Sequence, residues 1–244
     1  MSSKPGIAEA FIVKMLDNGA KLQGPAVAKY VDLMRRAHPD ESPAQIIERL
    51  EKQFLLSVTG SGSAAGATAA FPGVGTLAAI GAVGAETAFF FEASALLTLA
   101  IASVHGIEPH NHEQRRALVL AVSLGDAGRE IVATATGASL RNWPKALTTG
   151  TGGTQLKTLN NSLVKKFIRR YVAKRSPLLI GKLVPAGIGA AIGGVGNRAL
   201  GKRTIQHARD AFGPPPPAWP IARPVLPLNG EAPVLDAGVP VSKD

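Results

Sequence analysis

The chain has 244 residues, a formal net charge of +10 at pH 7, 45% hydrophobic residues and no cysteine. The lack of cysteine excludes disulfides, thiolate chemistry and cysteine-ligated zinc or iron–sulfur sites. The length allows one large domain or two small ones, each able to bury a core. Aromatic residues make up only 5% and glycines number 27, which indicates helices that pack backbone against backbone.

The positive charge is concentrated in one part of the chain. Residues 1–130 carry 11 Lys/Arg and 13 Asp/Glu, residues 131–209 carry 14 Lys/Arg and no acid, and residues 210–244 carry 2 and 4. All of the excess therefore lies in one segment. Such asymmetry predicts an anionic partner, either a lipid surface or a nucleic acid.

Short amphipathic helices are predicted for residues 1–53. Apolar residues at helical spacing indicate helices over Ile7–Leu22 and between Gly24 and His38, and a third that opens at Ser42-Pro43. Residues 1–6 lead into a charged segment without the apolar core of a signal peptide, which predicts retention on the cytoplasmic side.

A hairpin of two Gly/Ala-rich helices is predicted over residues 54–104. No charged residue occurs from Gln53 to Ala85, and Gly62 and Gly66 have the spacing that lets a second helix approach closely. A turn over Phe71–Gly75 separates the two helices. Because an acidic residue inside the second helix opposes full insertion, the hairpin is predicted to be buried, or shallowly inserted in a membrane, without a double span.

The strongest amphipathic pattern in the chain covers Ser162–Arg175. Residues 136–160 before it are rich in Thr, Gly, Asn and Ser, and the Thr148–Thr154 run within them predicts a flexible connector. Ser176-Pro177 is predicted to end the helix. Packing of its apolar face on the bundle is the structural alternative to lipid contact. Its candidate lipid- or anion-binding residues are Lys165, Lys166, Arg169, Arg170, Lys174, Arg175, Phe167 and Tyr171.

A second Gly/Ala helix is predicted to follow, over Pro185–Val195, and to become basic toward Arg209. Gly189 and Gly193 repeat the close-packing spacing. From Gly213 the prolines predict an extended, disordered tail. No segment has a strand pattern, so the predicted class is all-α, a multi-helix bundle with Gly/Ala-rich close-packed central helices. Its predicted parts are N-terminal helices 1–53, a core 54–212 with the basic segment 141–209, and the Pro-rich tail 213–244.

No catalytic residue, cofactor site or metal site is predicted. Gly196, Gly201 and Lys202 have the spacing of a phosphate-binding loop, but Arg203 replaces the hydroxyl residue that would bind magnesium and no strand precedes it. The two glycines of this set are interpreted as close-packing residues. The histidines around the turn after the second hairpin helix lack a fixed fourth ligand and are interpreted as polar junction residues. These histidines are His105, His110 and His112.

Two glutamates interrupt the apolar hairpin. Glu86 and Glu92 are about 120° apart around a helix, so they do not form a paired acid/base site. One of them is predicted to face the interior, with Lys182 and Arg198 as candidate partners.

Two segments of the chain resemble the bacterial EcsC family. The first is the glycine-rich stretch with its Pro72-Gly73 turn and the exit at His105-Gly106 into Arg115-Arg116-Ala117-Leu118. The second is the block Leu183–Asn197, followed by a basic helix that ends near Ala208. The similarity covers about Leu55 to Phe212. It implies a membrane-associated bacterial protein without established enzymatic activity, whose founding member is linked to a transporter operon.

The sequence therefore predicts a non-enzymatic helical protein on the cytoplasmic side of the cell membrane. Anionic lipids are its expected partners, held by the basic segment and by shallow insertion of the Gly/Ala hairpin, and a membrane transporter or another protein is a further expected partner. The alternative is a soluble nucleic-acid-associated protein that uses the same cations. The two hypotheses differ on Phe167 and Tyr171, which lipid insertion requires to be exposed.

Overall fold

The computed structural model describes the backbone of residues 24–68, 76–181 and 188–220, and the side chains of residues 26–61, 85–170 and 194–220. All regular secondary structure in these residues is helical, as predicted. The helices are α1 Gly24–Ala37, α2 Pro43–Thr68, α3 Thr76–Val104, α4 His112–Leu124, α5 Asp126–Thr136, α6 Trp143–Thr149, α7 Gly153–Gly181 and α8 Ile188–Phe212.

The predicted starts of α1 and α2 are confirmed. At the start of α2, the Ser42 backbone amide donates to Gln45 Oε1 at 2.8 Å, and the Gln45 amide donates to Ser42 Oγ at 3.4 Å. This reciprocal pair is a capping box, which satisfies amides that the first helical turn leaves without partners. The predicted helix Ile7–Leu22 and the predicted Phe71–Gly75 turn lie outside the described residues.

Helix α3 ends at a glycine, as the sequence predicts. Gly106 has a φ of +68°, a left-handed conformation that glycine adopts without a steric penalty. The Ile107 amide donates to Ala102 O at 2.9 Å, which satisfies a carbonyl in the last turn. The chain then enters α4, whose observed bounds, His112–Leu124, agree with the predicted ones.

Helix α4 lies at the centre of the core. Residues 117–122 and Leu124 are all at most 3% exposed, so this helix is buried on every side. It packs against α3, α5, α6, α7 and α8. The sequence predicts residues 54–104 as buried or shallowly inserted in a membrane. In the described part of that hairpin, most of the core side chains come from its second half.

The predicted connector Thr148–Thr154 contains the non-helical residues 150–152, which join α6 to α7. The Thr-, Gly-, Asn- and Ser-rich residues 136–160 around it are more helical than their composition indicates. This stretch contains the end of α5, the short helix α6 and the first two turns of α7. The reason is Trp143, which is fully buried together with Leu147, so α6 is held by core packing that local composition does not reveal. Helix α7 also continues past the predicted stop at Pro177 to Gly181.

Helices α2 and α8 form the most extensive helix pair and run antiparallel. The carboxylate of Glu51 accepts from Arg209 Nε at 2.8 Å and Nη2 at 2.5 Å, and this bond raises the pKa of Arg209. Further along this pair, a Cβ on Gly201 would lie 3.0 Å from side chains of α2, which confirms Gly201 as a close-packing glycine. The same interpretation is wrong for Gly196, which is exposed and has no atom within 4 Å of its Cβ position. The packing of the predicted pairs Gly62/Gly66 and Gly189/Gly193 lies outside the described side chains.

The first residues after α8 fold back onto the bundle. The indole of Trp219 donates to Glu41 O at 3.4 Å, and the Arg35 guanidinium lies 4.3 Å from its ring centroid. Pro220 packs over Gly106, where a Cβ would lie 3.2 Å away. Residues 213–220 are therefore a docked extension of the bundle, and the remainder of the predicted tail lies outside the described residues.

Candidate functional site

A layer of phenylalanines crosses the bundle and serves as a reference level. The ring centroids of Phe54 and Phe90 are 6.2 Å apart, and those of Phe91 and Phe167 are 5.5 Å apart. Gly201 of α8 contacts α2 at the same level, with Phe54 3.5 Å from the position of its Cβ. Helices α2, α3, α7 and α8 therefore meet in this layer.

All four of these helices continue past the layer toward the same end of the bundle. The stretches involved are residues 55–68 of α2, 76–89 of α3, 168–181 of α7 and 188–200 of α8, each about 20 Å long at roughly 1.5 Å per residue. Their outer parts contain no charged residue. We call the set 55–68, 76–85, 176–181 and 188–197 the charge-free tip. The connection between α7 and α8, residues 182–187, contains Lys182 and lies outside the described residues, so it is not part of this set.

Exposed cations lie close to the phenylalanine layer on α7 and α8. No acid occurs in residues 131–209, so neither helix carries an acidic residue near them. We call this set the basic belt; its members, all exposed, are Lys165, Lys166, Arg169, Arg198, Lys202 and Arg203. Within the described side chains, none of the six forms a salt bridge.

Large apolar side chains are exposed beside the belt. Leu56 on α2 is 75% exposed, Val195 on α8 is 69% exposed and Phe89 on α3 is 42% exposed. All three lie at the layer or on its tip side. Apolar and cationic side chains thus share the border of the charge-free tip, which is the pattern of side chains at a membrane–water interface.

Arg170, predicted as part of the solvent-facing basic face, has a structural role. Its guanidinium is half-buried, and Nη1 donates to Leu124 O at 2.6 Å. Leu124 ends α4, whose last carbonyls lack partners inside the helix, so a cation there is favourable. Arg170 therefore caps the central helix. The side chains of Lys174, Arg175 and Tyr171 lie outside the described residues.

Phe167, predicted as a lipid-contacting aromatic residue, is buried. It is 6% exposed and its ring meets Phe91 edge-on. The apolar face of α7 consequently packs on the bundle, which was the structural alternative for this helix. The exposed face of the described part of α7 is polar and includes Lys165, Lys166 and Arg169. The prediction of Phe167 as a lipid contact is corrected.

Glu86 has an unpredicted polar partner. Its Oε1 accepts from Asn197 Nδ2 at 2.8 Å, and the same amide nitrogen lies 3.1 Å from Val58 O. Asn197 is 6% exposed, so one buried amide links α2, α3 and α8 at the base of the charge-free tip. Arg198, the predicted partner of the glutamates, is exposed.

A second polar junction joins α4 to α8. The ring of His207 packs against Gly125, where a Cβ would lie 2.8 Å from Nε2. Burial and the nearby guanidinium groups of Arg170 and Arg203 lower the pKa of His207, while a hydrogen bond to the Ser123 backbone and the Asp210 carboxylate oppose that shift. Arg203, a member of the basic belt, therefore acts electrostatically on a partly buried side chain of the bundle.

The predicted histidine junction contains no metal-ligand cluster. Among the described residues there is no group of three His, Asp or Glu side chains that could hold a metal ion. His105 Nδ1 donates to Ile101 O at 2.9 Å, and the centroid of its ring lies 5.5 Å from that of Phe212. In comparisons with protein-family models, curated proteins and solved structures, the chain has no match. The resemblance to the EcsC family stays a prediction.

Proposed function

We propose that the protein attaches peripherally to anionic membranes, with the charge-free tip in the lipid and the basic belt at the headgroups. The observation that carries this proposal is that both features occupy the same end of the bundle. The exposed apolar residues Leu56, Phe89 and Val195 at their border add support. Cations near an anionic membrane surface each contribute about 1 kcal/mol of attraction.

The length of the tip favours insertion into one leaflet. Before the first charge, residues 76–85 of α3 and 188–197 of α8 extend about 15 Å. This is half of the roughly 30 Å thickness of a bilayer hydrocarbon core. Insertion beyond that depth would carry Glu86 and Arg198 into the hydrocarbon region, which is costly.

A segment of α3 also meets the length and composition of a membrane-spanning helix. Among the described residues, Ala85–Val104 of α3 is long and apolar enough to cross a membrane, with a mean hydropathy of 1.7, but 61% of it is buried inside the fold. The same test is passed by core helices of soluble proteins. Its burial against α4 supports a core role, so we propose contact with the membrane through the tip alone.

Flotation with vesicles tests the proposal. Purified protein is mixed with vesicles of phosphatidylcholine alone or with added phosphatidylglycerol, before and after a high-salt wash. Replacement of Lys165 and Lys166 by Gln is expected to weaken binding to the anionic vesicles roughly thirtyfold, since each cation contributes about 1 kcal/mol. Binding to both types of vesicle that survives the salt wash indicates tip insertion.

The matched control removes two exposed cations from the other end of the bundle. Lys145 and Lys157 are exposed, and their replacement by Gln produces the same change in net charge. This variant is expected to float like the wild type. Absence of flotation on either vesicle type, or equal losses in the two variants, would contradict the proposal.

A nucleic-acid partner is the second candidate, and the burial of Phe167 favours it. Phosphate contacts by the belt would leave the apolar face of α7 free to pack, as it does. Binding of duplex DNA or RNA with a steep salt dependence, without flotation on anionic vesicles, would support it.

Under the membrane proposal, the predicted EcsC resemblance adds a cytoplasmic-face location and an accessory role beside a transporter.

A further inference from the structure

A cleft of about 440 Å³ opens at the end of the bundle opposite the charge-free tip. It lies between the exit of α3, the α5–α6 connection and the end of α8. Its size falls in the range of small-molecule sites. The polar side chains along it come from four different segments and include Arg129, Arg141, Lys145, Asp210 and Asn142.

Basic side chains outnumber acidic ones in this cleft. Arg129, Arg141 and Lys145 face a single carboxylate, Asp210, which itself accepts from Gln206 Nε2 at 2.9 Å. Arg141 and Lys145 are exposed and form no ion pair with any described residue. The cleft therefore has a net positive charge and attracts an anion.

Arg129 is the most buried of these cations. Its side chain is only 22% exposed, yet its carboxylate partner is the 87% exposed Asp126, reached by one bond of 3.3 Å from Nη1. The buried Nε atom of Arg129 has no hydrogen-bond partner. A guanidinium removed from water normally has close carboxylate or carbonyl partners, so this side chain has unused capacity to bind an anion.

The other walls of the cleft are apolar. They come from Ile107, Leu140, Pro144 and Phe212, and from Pro214 and Pro216 of the docked segment 213–220. Leu140 is 48% exposed, which is unfavourable for a large apolar side chain in water but suits one that covers a ligand. The docking of Trp219 on α1 and on the connection between α1 and α2 holds the proline wall in place.

A neighbouring cleft of about 450 Å³ shares this wall but has the opposite charge balance. It is lined by the carboxylates of Glu48 and Asp210, and its arginine, Arg209, is already bonded to Glu51. An anion is therefore expected only in the first cleft. The contrast provides an internal comparison between two cavities of nearly equal size.

We propose that the first cleft binds a small amphipathic organic anion. Its carboxylate or phosphate group contacts Arg129, Arg141 and Lys145, and its apolar body lies against Leu140 and the proline wall. The site lies at the opposite end of the bundle from the charge-free tip, so it is independent of membrane attachment. A ligand of this class would bind to the protein while the tip is in the lipid.

Isothermal titration calorimetry without lipid tests this proposal, with octanoate as the probe. The wild type is expected to bind octanoate, and to bind octanol, which lacks the charge, and acetate, which lacks the apolar body, much more weakly. Arg129→Gln is expected to reduce octanoate affinity at least about tenfold, because charge-assisted bonds are lost. The exposed variants Arg141→Gln and Lys145→Gln test the same site if Arg129→Gln does not fold.

The controls are Lys157→Gln and Lys165→Gln, which remove one exposed cation each outside the cleft and are expected to bind octanoate like the wild type. Three results would overturn the proposal: no heat with octanoate, equal binding of octanoate and octanol, or equal losses in cleft and control variants. Flotation of Arg129→Gln on anionic vesicles is expected to be unchanged, so failure of this site is distinguishable from failure of the membrane proposal.

Discussion

Asn197 joins three helices through a single side-chain amide. Its Nδ2 atom is within hydrogen-bond distance of both Val58 O and the Glu86 carboxylate. The sequence offers a signal for this residue, because it is the one polar side chain of the block Leu183–Asn197. A lone buried amide among Gly and Ala residues indicates a specific polar partner.

Asn197→Ala is expected to lower the free energy of unfolding by about 1–3 kcal/mol, since it leaves a buried carbonyl and carboxylate without this donor. Urea denaturation followed by circular dichroism measures the change. Asn161→Ala is the matched control: Asn161 is exposed on α7, and its replacement is expected to change the free energy by at most about 0.5 kcal/mol. Equal effects would show that the amide does not link the helices.

His207 is expected to make stability depend on pH. Because its pKa is lowered in the folded protein, the unfolded chain takes up a proton at a higher pH than the folded one does. The free energy of unfolding contributed by this residue therefore falls as the pH drops through the ordinary histidine value of about 6.5. Urea denaturation between pH 8 and pH 5.5 measures the slope.

His207→Gln is expected to show a smaller loss of stability than the wild type over that pH interval. The two proteins are compared by the change in their free energy of unfolding with pH. Their absolute stabilities are not compared, because loss of the ring contact with Gly125 changes stability at every pH. Identical slopes would mean that His207 is protonated equally in the folded and unfolded states. The nearby Arg170 and Arg203 make this outcome unexpected, since their charges oppose protonation.

Single residues also show what a sequence pattern leaves open. Over the described side chains 162–170, helical spacing correctly separates the buried Phe167 from the exposed Lys165, Lys166 and Arg169. The same spacing arises whether the apolar face meets lipid or protein. Phe167 meets Phe91, a partner more than 70 residues away, and Arg170 meets a carbonyl of α4. Such contacts depend on tertiary packing, which periodicity alone does not determine.

Among the helices, α4 and α5 approach each other most closely at Gly128. A Cβ at this position would lie 2.1 Å from Ala121 O, so the two backbones are in contact. Gly196 in α8 is the opposite case, because it is exposed and no atom lies within 4 Å of its Cβ position. Both glycines lie in helices, but only Gly128 is in contact with a neighbouring helix.

Gly128→Ala is expected to destabilise the protein by about 1–3 kcal/mol or more, because the helices must move apart. Gly196→Ala is expected to stabilise it by about 0.5–1 kcal/mol, since alanine restricts the unfolded chain and fits the open helix surface. Thermal denaturation of the two variants measures both shifts. A stabilised Gly128→Ala variant would contradict the close approach of α4 and α5.

The helices themselves were predictable where a local signal marks their ends. Ser42 with Gln45, and Gly106 after α3, have the expected capping roles. The predicted connector Thr148–Thr154 does contain the break at residues 150–152, but α6 before it, which is held by the buried Trp143, was not predicted. The prediction failed at Pro177, near the end of α7, where only one backbone hydrogen bond is lost and few helical residues follow.

At the scale of the molecule, the two ends of the bundle have different character. The tip end has uncharged Gly/Ala helices bordered by cations, and the other end has the cationic cleft and the docked segment 213–220. The sequence indicated both an uncharged hairpin and a basic segment. Their common location follows from the antiparallel pairing of α2 with α8, set by contacts between Glu51 and Arg209 and between Val58 and Asn197.

The polarity of the bundle is tested by a charge placed on either side of the phenylalanine layer. Val195→Glu places an acid among exposed residues of the tip, where insertion would bury it in lipid, and is expected to reduce salt-resistant vesicle binding at least about tenfold. Leu96→Glu is the matched control, since Leu96 is 40% exposed on α3 and lies about 9 Å from Phe90 on the side away from the tip. It is expected to bind vesicles like the wild type. Equal binding of both variants would mean that the tip stays in water. Loss of vesicle binding in Leu96→Glu alone would place the membrane contact on the part of α3 around Leu96.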